Sequence, residues 1–285
     1  EGALLLGPDS RLLSRLATGA YGAVDPRLQR ALLVASAAAW MFDQGVKPGD
    51  RVAIAMRNYP EWMLLYWACV SVGIAVVGMN AWWTPEEMEY ALKDSEPKIL
   101  FADSERLERV LAISGAADKM KIVGVRAPDA PSPVIQWSDV LAHGGALPDV
   151  SVDPDADACI FYTSGTTGFP KGAQLTHRGC VSNLLNMAFA GASTQLATAR
   201  ATGEMPPEEA PVPVGLITTP LFHVTANNCA AYLITAAGGK IVLMYRWDAG
   251  EALKLVEIEK VTAMSGVPIM ARELINHPDF EKTDT

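Results

Sequence analysis

Short apolar runs alternate with longer amphipathic stretches along most of the chain. The runs are 51–55, 74–77, 98–101, 121–125, 158–162, 216–218, 240–243 and 261–264, rich in Ile, Val, Ala and Phe. Each is too short for a helix of ordinary length. Several are apolar at consecutive rather than alternate positions, as in strands buried on both faces. Strands separated by helical stretches predict an α/β fold of layered, parallel-rich sheets flanked by helices, with eight strands in one large sheet or two.

The intervening helices carry their own punctuation. Thr84-Pro85-Glu86-Glu87 places a hydroxyl at the N-cap, proline at the first helical position and acid in the first turn, so a helix should run to about Lys93. An alanine-rich helix over 27–44 should end at Gly45, with Pro48-Gly49-Asp50 turning the chain into the next strand. Trp247-Asp248-Ala249-Gly250 opens a helix that reaches Glu259. The prolines of 127–133 and the proline- and glutamate-rich 203–213 break all periodicity, and 201–213 reads as a linker. Residues 1–57 are then the first part of one α/β subdomain, 58–200 a second one, and 214–285 an incomplete remainder of the first.

One stretch raises a membrane question, because Trp62 to Met79 holds no charge over eighteen residues. Gly73 and Gly78 punctuate it, and Ile74-Ala75-Val76-Val77 is β-branched, so a helix, a turn and a buried strand account for it better. No basic segment followed by an apolar core opens the sequence, so a secretory leader is not expected. The chain has 285 residues, half of them hydrophobic, which is enough for a substantial core. A net charge of −9 and no local run of Lys and Arg argue against nucleic-acid binding. Cys69, Cys159, Cys180 and Cys229 are widely spaced among apolar neighbours and read as reduced structural residues of a cytoplasmic protein. Cys180, near His177, is the one with a competing reading as a reactive thiol.

The chemistry concentrates directly after the run 158–162. Thr163, Ser164, Gly165, Thr166, Thr167, Gly168, Phe169, Pro170, Lys171 and Gly172 combine hydroxyl donors, a backbone free to approach a ligand, and one positive charge. That is the composition of a phosphate-gripping loop. A Walker loop is excluded by spacing, since Gly165 is followed by Gly168 and then Pro170-Lys171-Gly172. A plain Gly/Thr surface turn is the bland alternative. Thr176 reads as the N-cap of a helix through Asn183 and Met187, so that the loop would feed the positive end of a helix. A second candidate follows the run 216–218, where Thr219-Pro220-Leu221-Phe222-His223 puts an aromatic ring and an imidazole at a strand's C-terminal end, the ligand edge of open α/β sheets. A histidine buried at a helix start is the structural alternative there.

The loop resembles the signature of the adenylate-forming superfamily: acyl-CoA synthetases, luciferases and peptide-synthetase adenylation domains. Pro220-Leu221-Phe222-His223, Gly45 to Ala53, Asn58-Tyr59-Pro60-Glu61, Met79 to Thr84 and Val261 to Pro268 extend the resemblance over nearly the whole chain. It implies the fold of that superfamily's large N-terminal domain, in truncated form. It also implies ATP, Mg²⁺ and coenzyme A as partners of the full-length enzyme, with a long- or medium-chain fatty acid or a related carboxylic acid as substrate. Carried over residue by residue, Lys171 and Thr163, Ser164, Gly165, Thr166, Thr167 and Gly168 would hold the β- and γ-phosphates. A hydroxyl of Thr166 or Thr167 would lie near Mg²⁺, with Thr167 taken as the metal contact. His223 would stand beside the substrate carboxylate, and Phe222 and Gly266 would border the acyl pocket. Trp82 and Trp83 read as packing residues rather than ligand platforms.

Amino-acid-activating relatives usually follow the phenylalanine with an aspartate that pairs with an ammonium. Here His223 stands in that place, and no acid occurs from Thr218 to Thr235, which disfavours an amino-acid substrate. Ala226-Asn227-Asn228 replaces a glycine common soon after this histidine, which leaves the tunnel's shape open. The superfamily's later motifs, for adenine, ribose, the hinge and a catalytic lysine on a small C-terminal domain, are not in this sequence. The expectation is an N-terminal part of an acyl-CoA synthetase, in need of its missing C-terminal domain and with little turnover alone. A fatty acyl-AMP ligase loading a carrier protein, or a non-catalytic nucleotide- or acyl-binding domain, stays as an alternative. Peripheral membrane contact stays open, and oligomeric state is unassigned.

Overall fold

The computed structural model describes residues 26–164, 168–203 and 212–285. They fall into two compact units, Glu1–His177 and Arg178–Thr285. The first contains α1 (Pro26–Asp43), β1 (Arg51–Ala55), α2 (Pro60–Val70), β2 (Ala75–Gly78), α3 (Pro85–Ser95), β3 (Ile99–Asp103), α4 (Ser104–Leu111), α5 (Ala116–Lys119), β4 (Lys121–Val125), β5 (Ile135–Gln136), α6 (Trp137–Ala142), β6 (Asp157–Thr163) and β7 (Lys171–Thr176). A long helix, α7 (His177–Thr202), leads into the second unit. There β8 (Val214–Ile217), a π-helical turn (Thr225–Ala231), α8 (Tyr232–Ala236), β9 (Lys240–Leu243), α9 (Ala249–Glu259), β10 (Ala263–Ser265) and α10 (Pro268–Ile275) follow. All eight apolar runs are strands. The chargeless stretch from Trp62 is the end of a helix, a turn and β2, and no described helix is long and apolar enough to cross a membrane.

The first sheet has the order β5-β4-β3-β1-β2-β6-β7. Its pairings are parallel except the last, where β7 runs antiparallel to β6. Helices cover both faces, which is why its strands show no polar alternation. On one face Leu100, Ala102, Val77 and Ile160 pack against Met88, Ala91 and Leu92 of α3 and Leu107 and Val110 of α4. On the other, the ring of Phe101 meets Trp40 of α1 and Trp137 of α6 edge-on, with centroids 6.2 and 6.0 Å apart. Each large apolar side chain buried this way contributes roughly 1.5–3 kcal/mol.

The predicted cap of α3 forms in full. The Thr84 hydroxyl accepts from the Glu87 backbone at 3.3 Å, and the Glu87 carboxylate accepts from the Thr84 backbone at 2.9 Å. At α9, Asp248 accepts from the Glu251 backbone at 2.8 Å. Much of the suggested linker, 204–211, lies outside the described residues.

The second sheet has three parallel strands in the order β10-β8-β9. Its core is small, with Leu216, Met244, Ala252, Leu253 and Leu274 at the centre. Gly215 of β8 is needed where it stands, because a Cβ there would lie 2.1 Å from Cδ1 of Ile234 on α8.

Two of the strands were not legible as elements. β5 is only two residues long, and β7 contains the sequence Lys171-Gly172-Ala173-Gln174-Leu175-Thr176, too polar and too glycine-rich to register as a strand. β7 also corrects the expectation that the loop feeds a helix. Its register pairs Thr163 with Lys171 and Asp157 with Thr176, so the chain returns along β6 before α7 begins at His177. The loop is therefore the tip of a hairpin, and the positive end of α7 starts near the opposite end of β6.

Candidate functional site

The loop leaves the C-terminal end of β6, and parallel pairing brings the C-terminal ends of β1, β2 and β3 to the same edge. Thr163 and Ser164 are exposed there, and Lys171 is exposed at the first position of β7. Gly165, Thr166 and Thr167 lie outside the described residues. Gly168 has φ of +107°, in the region that favours glycine, and a side chain there would meet nothing within 4 Å. Gly172 has a different reason to be glycine. A Cβ at that position would come 2.8 Å from Cγ2 of Ile160 and 3.4 Å from the Tyr162 ring.

Both arms of the hairpin are tied to α3. Before the loop, the Tyr162 hydroxyl donates to Asp94 at 2.7 Å, and burial together with that carboxylate pushes the phenol well above its ordinary range. After the loop, the Phe169 ring stacks on Tyr90, with centroids 4.8 Å apart and planes at 21°.

Along the same edge, Asp103 and Arg106 form a buried ion pair at 3.1 Å. Asp103 also caps α4 through the Arg106 backbone and accepts from the Arg57 backbone at 3.0 Å. Arg106 and Arg109 donate to the Ala81 carbonyl at 2.8 and 3.0 Å, and Arg109 also reaches the Trp83 carbonyl at 2.9 Å. These bonds hold the segment after β2 in place. The packing expectation holds for Trp83, 6 % exposed and edge-on to Tyr162. It does not hold for Trp82, which is 56 % exposed with the Arg57 guanidinium 4.6 Å over its ring. Sequence reasoning missed Arg57; its place just beyond the end of β1 is the signal that could have found it.

The second candidate group belongs to the second unit and is described by itself. Thr218 to His223 follow β8, and Gly266 follows the neighbouring β10, so both sit at the C-terminal edge of that sheet. Phe222 is buried, His223 exposed, and their ring centroids are 6.3 Å apart. The Thr218 hydroxyl donates to the Ser265 carbonyl at 2.7 Å, and a Cβ at Gly266 would come 3.2 Å from that hydroxyl and 3.0 Å from Met270 Sδ. Behind His223 the chain widens into the π-helical turn, a form frequent at functional sites. Asn227 and Asn228 are buried within it, with the Asn228 amide 3.2 Å from Cys180 Sγ. None of the four cysteines is in a disulfide among the described residues, and burial raises the Cys69 thiol far above its ordinary value, as suits a packing residue.

Among the described residues no three His, Cys, Asp or Glu side chains converge to hold a metal ion. A cavity of about 510 Å³ lies at the other edge of the first sheet, between Arg51, Leu92, Lys98, Ile113 and Met120, and includes none of the candidate residues.

The protein family described as AMP-binding enzyme matches residues 29–285. The chain is 30% identical to 4-coumarate–CoA ligase 2 of Oryza sativa subsp. japonica over 97% of its own length and 48% of that protein. It is 32% identical to a feruloyl-CoA synthase of Amycolatopsis sp over 84% of its length and 43% of that protein. It thus spans about half the length of the curated relatives it matches. Among solved structures, the inhibitor-bound N-terminal domain of FACL13 from Mycobacterium tuberculosis superposes with a TM-score of 0.72 at 22% identity, covering 96% of this chain and 66% of that one.

Proposed function

Because the chain belongs to the AMP-binding enzyme family, we propose that it is the N-terminal part of an ATP-dependent ligase that joins a carboxylic acid to coenzyme A through an acyl-adenylate. In the first step a carboxylate oxygen attacks the α-phosphorus of ATP and pyrophosphate leaves. In the second the thiol attacks the acyl carbon and AMP leaves. The hairpin loop at the edge of the first sheet carries this reading, with Thr163, Ser164 and Lys171 exposed at its base to meet the triphosphate. The hydroxyls of Thr166 and Thr167, which lie outside the described residues, belong to the same proposal, with Mg²⁺ arriving on the phosphates and Thr167 as its contact. His223 is proposed for the carboxylate side, with Phe222 and Gly266 at the border of the acid's pocket.

For the acid, the family resemblance implies a fatty or related carboxylic acid, while the relatives named above are a 4-coumarate ligase and a feruloyl synthase, both named for aromatic acids. We place an aryl acid first and a fatty acid second. Stabilising the pentacoordinate phosphorus needs preorganised cations, and the motifs expected to supply half of them are not in this sequence. Titrating the chain with ATP and Mg²⁺ tests the loop. Lys171→Ala should weaken binding roughly 10- to 100-fold, the worth of one charge-assisted contact, with the circular dichroism unchanged. Equal affinity in parent and variant would reduce the loop to a structural turn. Pyrophosphate exchange with 4-coumarate, ferulate and palmitate should be absent for the chain alone, and clear exchange would overturn the view that it lacks groups the reaction needs.

A further inference from the structure

The loop's two arms converge on one helix. Tyr162, at the end of β6, donates to Asp94 at 2.7 Å and to the Ala91 carbonyl at 3.3 Å. Phe169, two residues before β7, lies over Tyr90 at 4.8 Å. Tyr90, Ala91 and Asp94 are all on α3, a helix fixed at its start by a complete capping box and packed on the sheet through Met88, Ala91 and Leu92. Phe169 is 64 % exposed, so the stack leaves most of its ring in water. An exposed phenylalanine at a loop tip would otherwise gain little from holding one position. Gly168, with φ of +107° and open space around it, gives the chain a swivel just before Phe169. Past Pro170, the next residue is Lys171.

From this geometry we infer that Tyr90 is a positioning residue: its stack with Phe169 clamps the descending arm of the loop to α3 and so holds Lys171 ready for phosphate. The functional half of this inference rests on the phosphate role proposed above; the clamp itself does not. A loop held in place loses less freedom when a ligand orders it, so the clamp contributes to affinity without touching the ligand. An offset aromatic pair contributes enough for roughly a three- to tenfold change in binding. Because Phe keeps the ring, the conservative change at Tyr90 should retain the effect.

Two measurements on the whole 285-residue chain test it. Hydrogen exchange of the backbone amides of Gly168, Phe169, Lys171 and Gly172 should quicken in Tyr90→Ala and in Phe169→Ala, and stay at the parent rate in Tyr90→Phe. Titration with ATP and Mg²⁺ should show the same ranking, with both alanine variants three- to tenfold weaker and Tyr90→Phe unchanged. Parent-like exchange in Tyr90→Ala would overturn the clamp, and quickened exchange with parent-like ATP affinity would overturn its role in binding. Lys171→Ala separates the two levels. If it binds ATP as the parent does, the phosphate role falls while the exchange result still judges the clamp.

Discussion

Both sheets are assembled from parallel strands with helices between them, yet they end very differently covered. In the first, β1, β2, β3 and β4 bury almost every residue, because helices lie on both faces. In the second, β9 and β10 reach only half-burial at best. The helix leading into that unit, α7, leaves Val181, Leu185, Phe189 and Leu196 exposed at spacings that repeat along one face, and Ile258, Ile269 and Ile275 are exposed further on. A parallel sheet depends on layers on both sides, and among the described residues the first sheet is the better covered. The phosphate candidates thus stand on a finished framework and His223 on a thin one.

The largest test of this contrast is a pair of phenylalanines. Phe101→Ala empties a site that is 0 % exposed between Trp40 and Trp137, and should cost about 3–5 kcal/mol. Phe189→Ala removes a ring that is 75 % exposed and should change stability by no more than about 0.5 kcal/mol. Urea unfolding followed by tryptophan fluorescence would compare them. Similar losses for the two would mean that the α7 face is covered in solution, and the contrast would fail.

Ion pairs sharpen it next. Asp103→Asn removes the buried one of the two carboxylates that face the Arg106 guanidinium, leaving only half-exposed Glu105 at 3.0 Å, at a cost of about 3 kcal/mol. In the second unit the Lys260–Asp284 pair, 3.0 Å apart, is exposed on both sides. Lys260→Met should therefore cost less than about 1 kcal/mol, and the difference should survive added salt only for Asp103. An equal cost for both changes would show that the second unit is more enclosed than its surface indicates.

The same contrast explains what could be read in the sequence. The fully covered strands are continuous apolar runs, and all of them were visible, together with the N-cap at Thr84 and the helix start at 247–250. β7 was not, because its hairpin is made by pairing across a loop that is polar and glycine-rich and has no apolar pattern of its own. The loop's composition did single out Lys171 and the hydroxyls. Arg57 beside Trp82, and Tyr90 under Phe169, depend on which strands become neighbours. In the order β3-β1-β2-β6 each contact crosses between segments distant in sequence, and no local spacing encodes it. Adjacent Trp82 and Trp83 differ for the same reason: only Trp83 faces Tyr162.

The smallest effect falls at the junction of the two regions, where His177 ends the first unit and opens α7. Its Nε2 is buried with no hydrogen-bond partner among the described residues. Burial lowers its pKa from 6.5, partly offset by Asp153 and Asp157, which favour the charged form. The folded protein therefore holds the imidazole neutral, and the unfolded chain binds the extra proton first. Stability from this group is complete above about 6.5, the unfolded value, and is lost as the pH falls from there through the lower, folded value. Parent and His177→Gln should accordingly differ in how far their urea midpoints drop between pH 7.5 and 5, with the smaller drop in the variant. Because the side chain is partly open to solvent, the gap should be well below that of the Asp103 change. Identical drops would show that His177 gains its proton no later in the folded protein than in the unfolded chain.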